Sequence, residues 1–147
     1  MGELQGIIQT INDAFEGEAW HGPNVIASLS KIPENKVNDR IGNSHSIIEL
    51  VSHIVSWRNF VLEKLKDNLT YDVTDEMNFP SSSSWPEALM NLQESQGDLL
   101  AALSSFDEKR LHTIVPGRKY TYYKLLHGIV HHDLYHLGQI VMISKQL

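Results

Sequence analysis

His132 and His136 stand four residues apart in the run His131-His132-Asp133-Leu134-Tyr135-His136-Leu137-Gly138-Gln139-Ile140, and His53 lies on an earlier apolar segment. Residues at i and i+4 of a helix share a face, so the paired imidazoles can converge on one ion. A third imidazole from a facing helix completes a three-histidine set and leaves a coordination position open. That pattern belongs to catalytic rather than structural metal sites. Histidine occurs eight times, with His127, His131, His132 and His136 crowded into one segment. Cysteine is absent, which removes disulfides, thiolate ligands and a cysteine nucleophile together. Any thiol chemistry then needs a thiol brought by a small-molecule partner.

The elements that must position these rings can be read from apolar spacing. Leu4, Ile7, Ile8, Ile11 and Phe15 recur at three-and-four spacing, which predicts a helix from Glu3 to about Ala19. Gly22-Pro23 breaks it, and Asn24 to Leu29 forms a short continuation ended by Ile32-Pro33. Ser46-Ile47-Ile48-Glu49 fits a capping box that opens a second helix, through Leu50, Ile54, Trp57 and Val61 to about Asn68. Thr70 to Ser83, rich in Asp, Ser, Asn and Pro, reads as a loop. Ser84-Trp85-Pro86-Glu87 fits another capping box, for a third helix carrying Leu89, Leu92, Leu99, Leu100 and Leu103 to Phe106. After the Pro116-Gly117-Arg118 turn, Thr121 is the N-cap of a last helix reaching about Lys145. Four amphipathic helices and no strand alternation predict one all-α domain over residues 1–147, a four-helix bundle.

At about 100° per residue, Leu125, Leu126, Ile129, Val130, Leu134, Leu137, Ile140 and Val141 fill one arc of the last helix. His132 and His136 fall at its edge, whereas His127, His131 and Gly138 face the wetter side. His53 borders the arc made by Leu50, Ile54, Trp57 and Val61. Asp133 points into the apolar arc, where a lone carboxylate is costly, and so needs a partner. Two partners are open: a Tyr, Trp or Ser on another helix, or a ligand histidine such as His53, whose tautomer it would then fix. Gln139 either touches a bound ligand or serves structure. Trp57 and Tyr135 either wall a pocket or fill core, and His45 reads as a surface or capping residue. Gly128 and Gly138, costly within a helix, are read as points of close helix approach.

The charge balance is acidic, with a formal net charge of -6, and the 12 Lys and Arg are scattered. No clustered basic surface is available for nucleic acid or anionic membrane. No apolar run reaches the ~18 residues that a membrane span needs. Met1-Gly2-Glu3-Leu4-Gln5-Gly6 lacks the basic and apolar parts of a secretory signal, so a cytoplasmic setting is expected.

Ala19-Trp20-His21-Gly22-Pro23, then Ser44-His45-Ser46-Ile47-Ile48-Glu49-Leu50-Val51-Ser52-His53-Ile54 with Trp57, then His132 to Ile140, together resemble the DinB-like superfamily along essentially the whole chain. The resemblance implies a bundle of up-down-down-up type, generally dimeric, with a divalent metal on three histidines. Those ligands match His53, His132 and His136. It also implies relatives that are metal-dependent transferases and isomerases using thiols such as bacillithiol, mycothiol and glutathione. The expected activity is therefore a thiol S-transferase with Zn²⁺ or Ni²⁺, acting on a small-molecule substrate with a low-molecular-weight thiol as co-substrate. Two rivals stand beside it. One is a metal-dependent hydrolase, for which Glu49 is the nearby carboxylate base although the capping box also claims it. The other is a non-enzymatic metal-binding module.

Overall fold

The computed structural model describes residues 1–80 and 84–147. Its α-helices are α1 (Glu3–Phe15), α2 (Val25–Leu29), α3 (Ile47–Leu65), α4 (Asp75–Asn78), α5 (Trp85–Ser104) and α6 (Tyr122–Ser144). The described residues contain no strand, only an isolated bridge between Ile114 and Thr121. The four long helices make an all-α bundle, as the apolar spacing requires.

Caps set most of the helix starts. Ser46 Oγ accepts from Glu49 N, and Glu49 Oε2 accepts from Ser46 N at 2.7 Å, so the box that opens α3 is complete. Thr121 caps α6 by accepting from Lys124 N. At α5 only the serine half of the expected box forms: Ser84 Oγ accepts from Glu87 N. The ends depart further from expectation. α1 stops at Phe15 rather than Ala19, because the Asn24 side chain, which caps α2, also donates to Gly17 O and turns the chain. α3 stops at Leu65 rather than Asn68. There the buried Lys64 ammonium gathers the carbonyls of Asn68, Leu69 and Tyr71, and Asp67 takes a φ of 61°.

Side-chain contacts give the helix directions. Arg58 of α3 meets Ser95 and Gln96 of α5, and Leu62 and Leu65 lie beside Ala101 and Ala102, so α3 and α5 run parallel. Lys64 lies below Tyr122 while His53 meets His132, so α6 runs antiparallel to α3. Glu3 and Leu4 of α1 meet His112 and Glu108, just before α6, so α1 runs with α6. The order is up-down-down-up. Parallel neighbours need a connection that climbs back along the 19-residue α3, a distance of about 28 Å. Residues 66–80 climb back along α3, and α4 lies within them, packed on α3.

The core is split in two. One apolar cluster joins Leu4, Ile7 and Ile11 to Phe60, Val61, Leu103, Tyr122 and Leu126. The other joins Phe15, Val25 and Leu29 to Ile47, Ile54, Trp85, Leu92, Leu137 and Ile140. Between them lies a polar layer of Arg58, Ser95, Gln96 and Asp133, all buried. Arg58 donates to Ser95 Oγ, Gln96 Oε1 and Asp133 Oδ2, and its guanidinium stacks over the Phe15 ring at 4.7 Å. Each acceptor reduces the cost of burying that cation. The close approach expected at Gly128 and Gly138 is absent: a methyl placed on either meets no atom within 4 Å.

Candidate metal centre

His53 on α3 and His132 and His136 on α6 each offer a ring nitrogen within 4.8 Å of the others. The antiparallel packing of α3 on α6 brings them together, since 53 and 132 are level across the interface. His53 Nε2 and His132 Nε2 are 3.1 Å apart. Two imidazoles on one tetrahedral ion, with bonds of about 2.0–2.1 Å, place their nitrogens ~3.3 Å apart. The spacing fits a cation.

The outer nitrogens of two of the rings are tied. His53 Nδ1 donates to Asn78 O at 2.7 Å, and His136 Nδ1 donates to Gln139 Oε1 at 2.7 Å. Protonation at Nδ1 leaves Nε2 with its lone pair, so both rings present that lone pair towards the cluster. His132 Nδ1 is buried without a partner. Burial lowers the pKa of all three rings, and that of His132 falls to about 3, with His136 and His53 adding repulsion. Neutral imidazoles at neutral pH are what a metal ion needs, because only the deprotonated nitrogen can donate. Among the described residues no fourth His, Asp or Glu joins the group.

The segment read as loop from Thr70 to Ser83 supplies much of the site's support; Ser81, Ser82 and Ser83 lie outside the described residues. Thr74 caps α4 by accepting from Met77 N, and α4 ends by placing Asn78 O on His53. The Asn78 side chain also accepts from Trp57 Nε1 at 2.9 Å, so one residue holds both rings. Phe79 stacks on His53 at 4.2 Å and on His45 at 3.7 Å, a pile of three nearly parallel rings. Apolar spacing gave no sign of Asn78 or Phe79, because they act through a backbone carbonyl and a stacked ring rather than through a helix face.

The remaining sequence expectations divide. Asp133 pairs with Arg58, and the acceptor on His53 Nδ1 is Asn78 O, so Asp133 takes neither of the roles expected for it. Arg58 itself went unread, although 54, 58, 61 and 65 continue the buried stripe of α3 and an arginine there demands a partner. Gln139 sits against His136. Trp57 borders a cavity shared with His132 and stands 6.0 Å from that ring. Tyr135 is 67% exposed, with its ring edge on to His136 at 5.0 Å. Glu49 is committed to Ser46 and Arg40. His45, 44% exposed beside the capping box of α3, also stacks on Phe79 at 3.7 Å.

A family model described as the DinB superfamily matches residues 20–140. The chain belongs to the DinB superfamily. The matched span of this DinB-superfamily chain runs from the turn after α1 into the last turns of α6 and contains His53, His132 and His136. No curated protein and no solved structure gives a significant match. The three clustered histidines fit a metal-binding member of the superfamily. No helix among the described residues is long and apolar enough to cross a membrane.

Proposed function

We propose that this chain is a metal-dependent thiol S-transferase. The observation that carries the reading is the convergence of three neutral imidazoles with no fourth protein ligand among the described residues, in a chain without cysteine. His53, His132 and His136 would hold a divalent ion, with Zn²⁺ and Ni²⁺ both suited to imidazole. When bound, such an ion supplies Lewis acidity that lowers the pKa of a thiol in its open position, so that a nucleophile exists at neutral pH. The protein's own residues do the rest. Asn78 and Gln139 keep the rings in one tautomer, Phe79 holds the plane of His53, and Trp57 walls the cavity beside His132. The overall reaction forms a carbon–sulfur bond on an electrophilic small molecule, while the leaving group departs with its electron pair and the thiol proton passes to solvent.

A hydrolase is supported less well, because it wants a free carboxylate base and Glu49 is already bound to Ser46 and Arg40. The proposal takes a homodimer as its assembly, and exposed Tyr135 and Met142 on α6 leave apolar surface for one. The test is consumption of monochlorobimane with bacillithiol, mycothiol or glutathione, using metal-loaded, metal-free and His136→Ala protein. A thiol-dependent rate confined to the loaded wild type is the expected result. No rate above background with any thiol rejects the reading. Ester or amide turnover without thiol replaces it with hydrolysis.

A further inference from the structure

We infer that the apolar cavity between α3 and α6 beside His132 binds the electrophilic substrate, and that this substrate is an apolar group carrying a negative charge. The inference rests on the S-transferase reading for the word electrophile, but not for the binding itself. Trp57, Phe60, Val61, Leu125 and Ile129 wall a cavity of about 240 Å³. An apolar cavity of ~150 Å³ accommodates benzene, so this one admits a substituted aromatic ring or a branched chain. His132 closes one side of it, and the Nε2 of that ring is 3.1 Å from His53 Nε2. Whatever fills the cavity therefore lies next to the histidine cluster. The wall is rigid at this point, because Asn78 Oδ1 anchors the Trp57 indole.

Gly128 keeps the space open. It lies on the cavity lining within α6, and a methyl placed there meets nothing within 4 Å. Any larger side chain at 128 has that space to enter, and alanine would make a better helix. Lys124, one turn earlier and exposed, is on the same lining and forms no ion pair with the described residues. A free ammonium at the rim of an apolar cavity in a chain of net charge -6 selects for a carboxylate or similar anion. The opposite side of the cluster differs in kind. A cavity of about 320 Å³ borders His136 and mixes Asn43, Ser44 and Gln139 with Leu50, Phe79 and Ile143. Its amide and hydroxyl groups give a hydrophilic thiol hydrogen-bond partners that the cavity beside Trp57 lacks.

The experiment titrates 4-phenylbutyrate and 4-phenyl-1-butanol into metal-free protein without thiol. Tryptophan fluorescence is followed in a Trp20→Phe background, where Trp57 lines the cavity and Trp85 is a buried constant, with calorimetry in parallel. Both probes should saturate. Gly128→Leu should weaken both by at least about tenfold as the leucine fills the cavity. Gly128→Ala should raise the melting temperature. Lys124→Gln should weaken the carboxylate about fivefold and leave the alcohol unchanged. Equal affinity in wild type and Gly128→Leu, or no saturable binding by wild type, overturns the inference. If Gly128→Leu fails to fold, an identical carboxylate affinity in Lys124→Gln overturns it instead. Binding without any thiol-dependent turnover sinks the S-transferase reading and keeps the cavity as a site for apolar anions. Turnover without binding sinks the cavity assignment alone.

Discussion

His132 and Asp133 are neighbours on α6, yet one turns to His53 and the other to Arg58, and the two clusters they join are built on opposite principles. Around Asp133 every strong charge has a counter-charge: guanidinium, carboxylate, hydroxyl and amide close on one another between the two halves of the core. Burial pushes the Asp133 carboxyl up to about 6 against the pull of Arg58, so it remains mostly ionised at neutral pH. Around His132 there is no counter-charge. Three imidazoles are kept neutral, chiefly by burial, and each turns a ring nitrogen towards the others. The first cluster spends most of its polar capacity on holding helices together, with only Gln96 Nε2 and Asp133 Oδ1 buried without a partner among the described residues of that layer. The second keeps its capacity for something from outside. What separates them is one residue of helical rotation, about 100°.

The sharpest way to break this comparison is to remove one partner of the ion pair. Arg58→Ala or Asp133→Ala should each cost about 3–5 kcal/mol, because a buried charge is left alone. The double replacement Arg58→Met with Asp133→Leu should return most of that loss. Urea denaturation of metal-free protein measures all three, and a single-variant cost below about 1 kcal/mol would remove the structural role argued for the layer. His132→Ala, one position away, should cost about 1 kcal/mol or less in the same experiment while metal retention disappears.

A smaller effect is expected at the outer nitrogens of the rings. Gln139→Ala removes the acceptor on His136 Nδ1 and should weaken metal binding ~10–100-fold without loss of helicity. Competition against a chromophoric chelator reads this directly, and unchanged affinity would show that the Nδ1 partner is idle.

The smallest effect belongs to the exposed pair that contrasts with Arg58–Asp133. Arg110 donates to Asp67 at 2.5 Å and holds that carboxyl below its ordinary value of 3.8. A depressed carboxylate stabilises the fold above its unfolded value, and that contribution is lost as pH falls through the folded value. With the Asp67 side chain 54% exposed, screening limits the contribution to a few tenths of a kcal/mol, about 1 at most. Asp67→Asn, which tolerates the φ of 61°, should be slightly less stable than wild type at neutral pH. The two should converge as the carboxylate is titrated in acid. A gap that persists to about pH 2 would mean that the carboxylate charge is not its cause.

Residue spacing made much of the bundle legible. Ser46, Ser84 and Thr121 cap where their chemistry requires it, and the apolar stripes of α1, α3, α5 and α6 face inward. The histidine cluster was legible for the same reason, since i and i+4 on one helix form a relation internal to that helix. The support around it was less so. Arg58 could have been suspected from its place on a buried stripe, but its choice of Asp133, Ser95 and Gln96 depends on how three helices rotate against one another. Asn78 and Phe79 lie in a segment without periodicity, and the reading of Gly128 and Gly138 as contact points failed because open space is also compatible with glycine.

By itself the sequence determined which faces are apolar, where helices begin, and which nitrogens share a face, because these are short-range consequences of helical geometry. The parallel run of α3 and α5 came from family resemblance and not from any local pattern. Only the tertiary structure decided that Asn78 and Phe79 of their connection would meet His53 and that Asp133 would be consumed by an arginine 75 positions away. Such choices are settled when distant segments compete for the same buried volume and the same hydrogen bonds. No local pattern carries that competition.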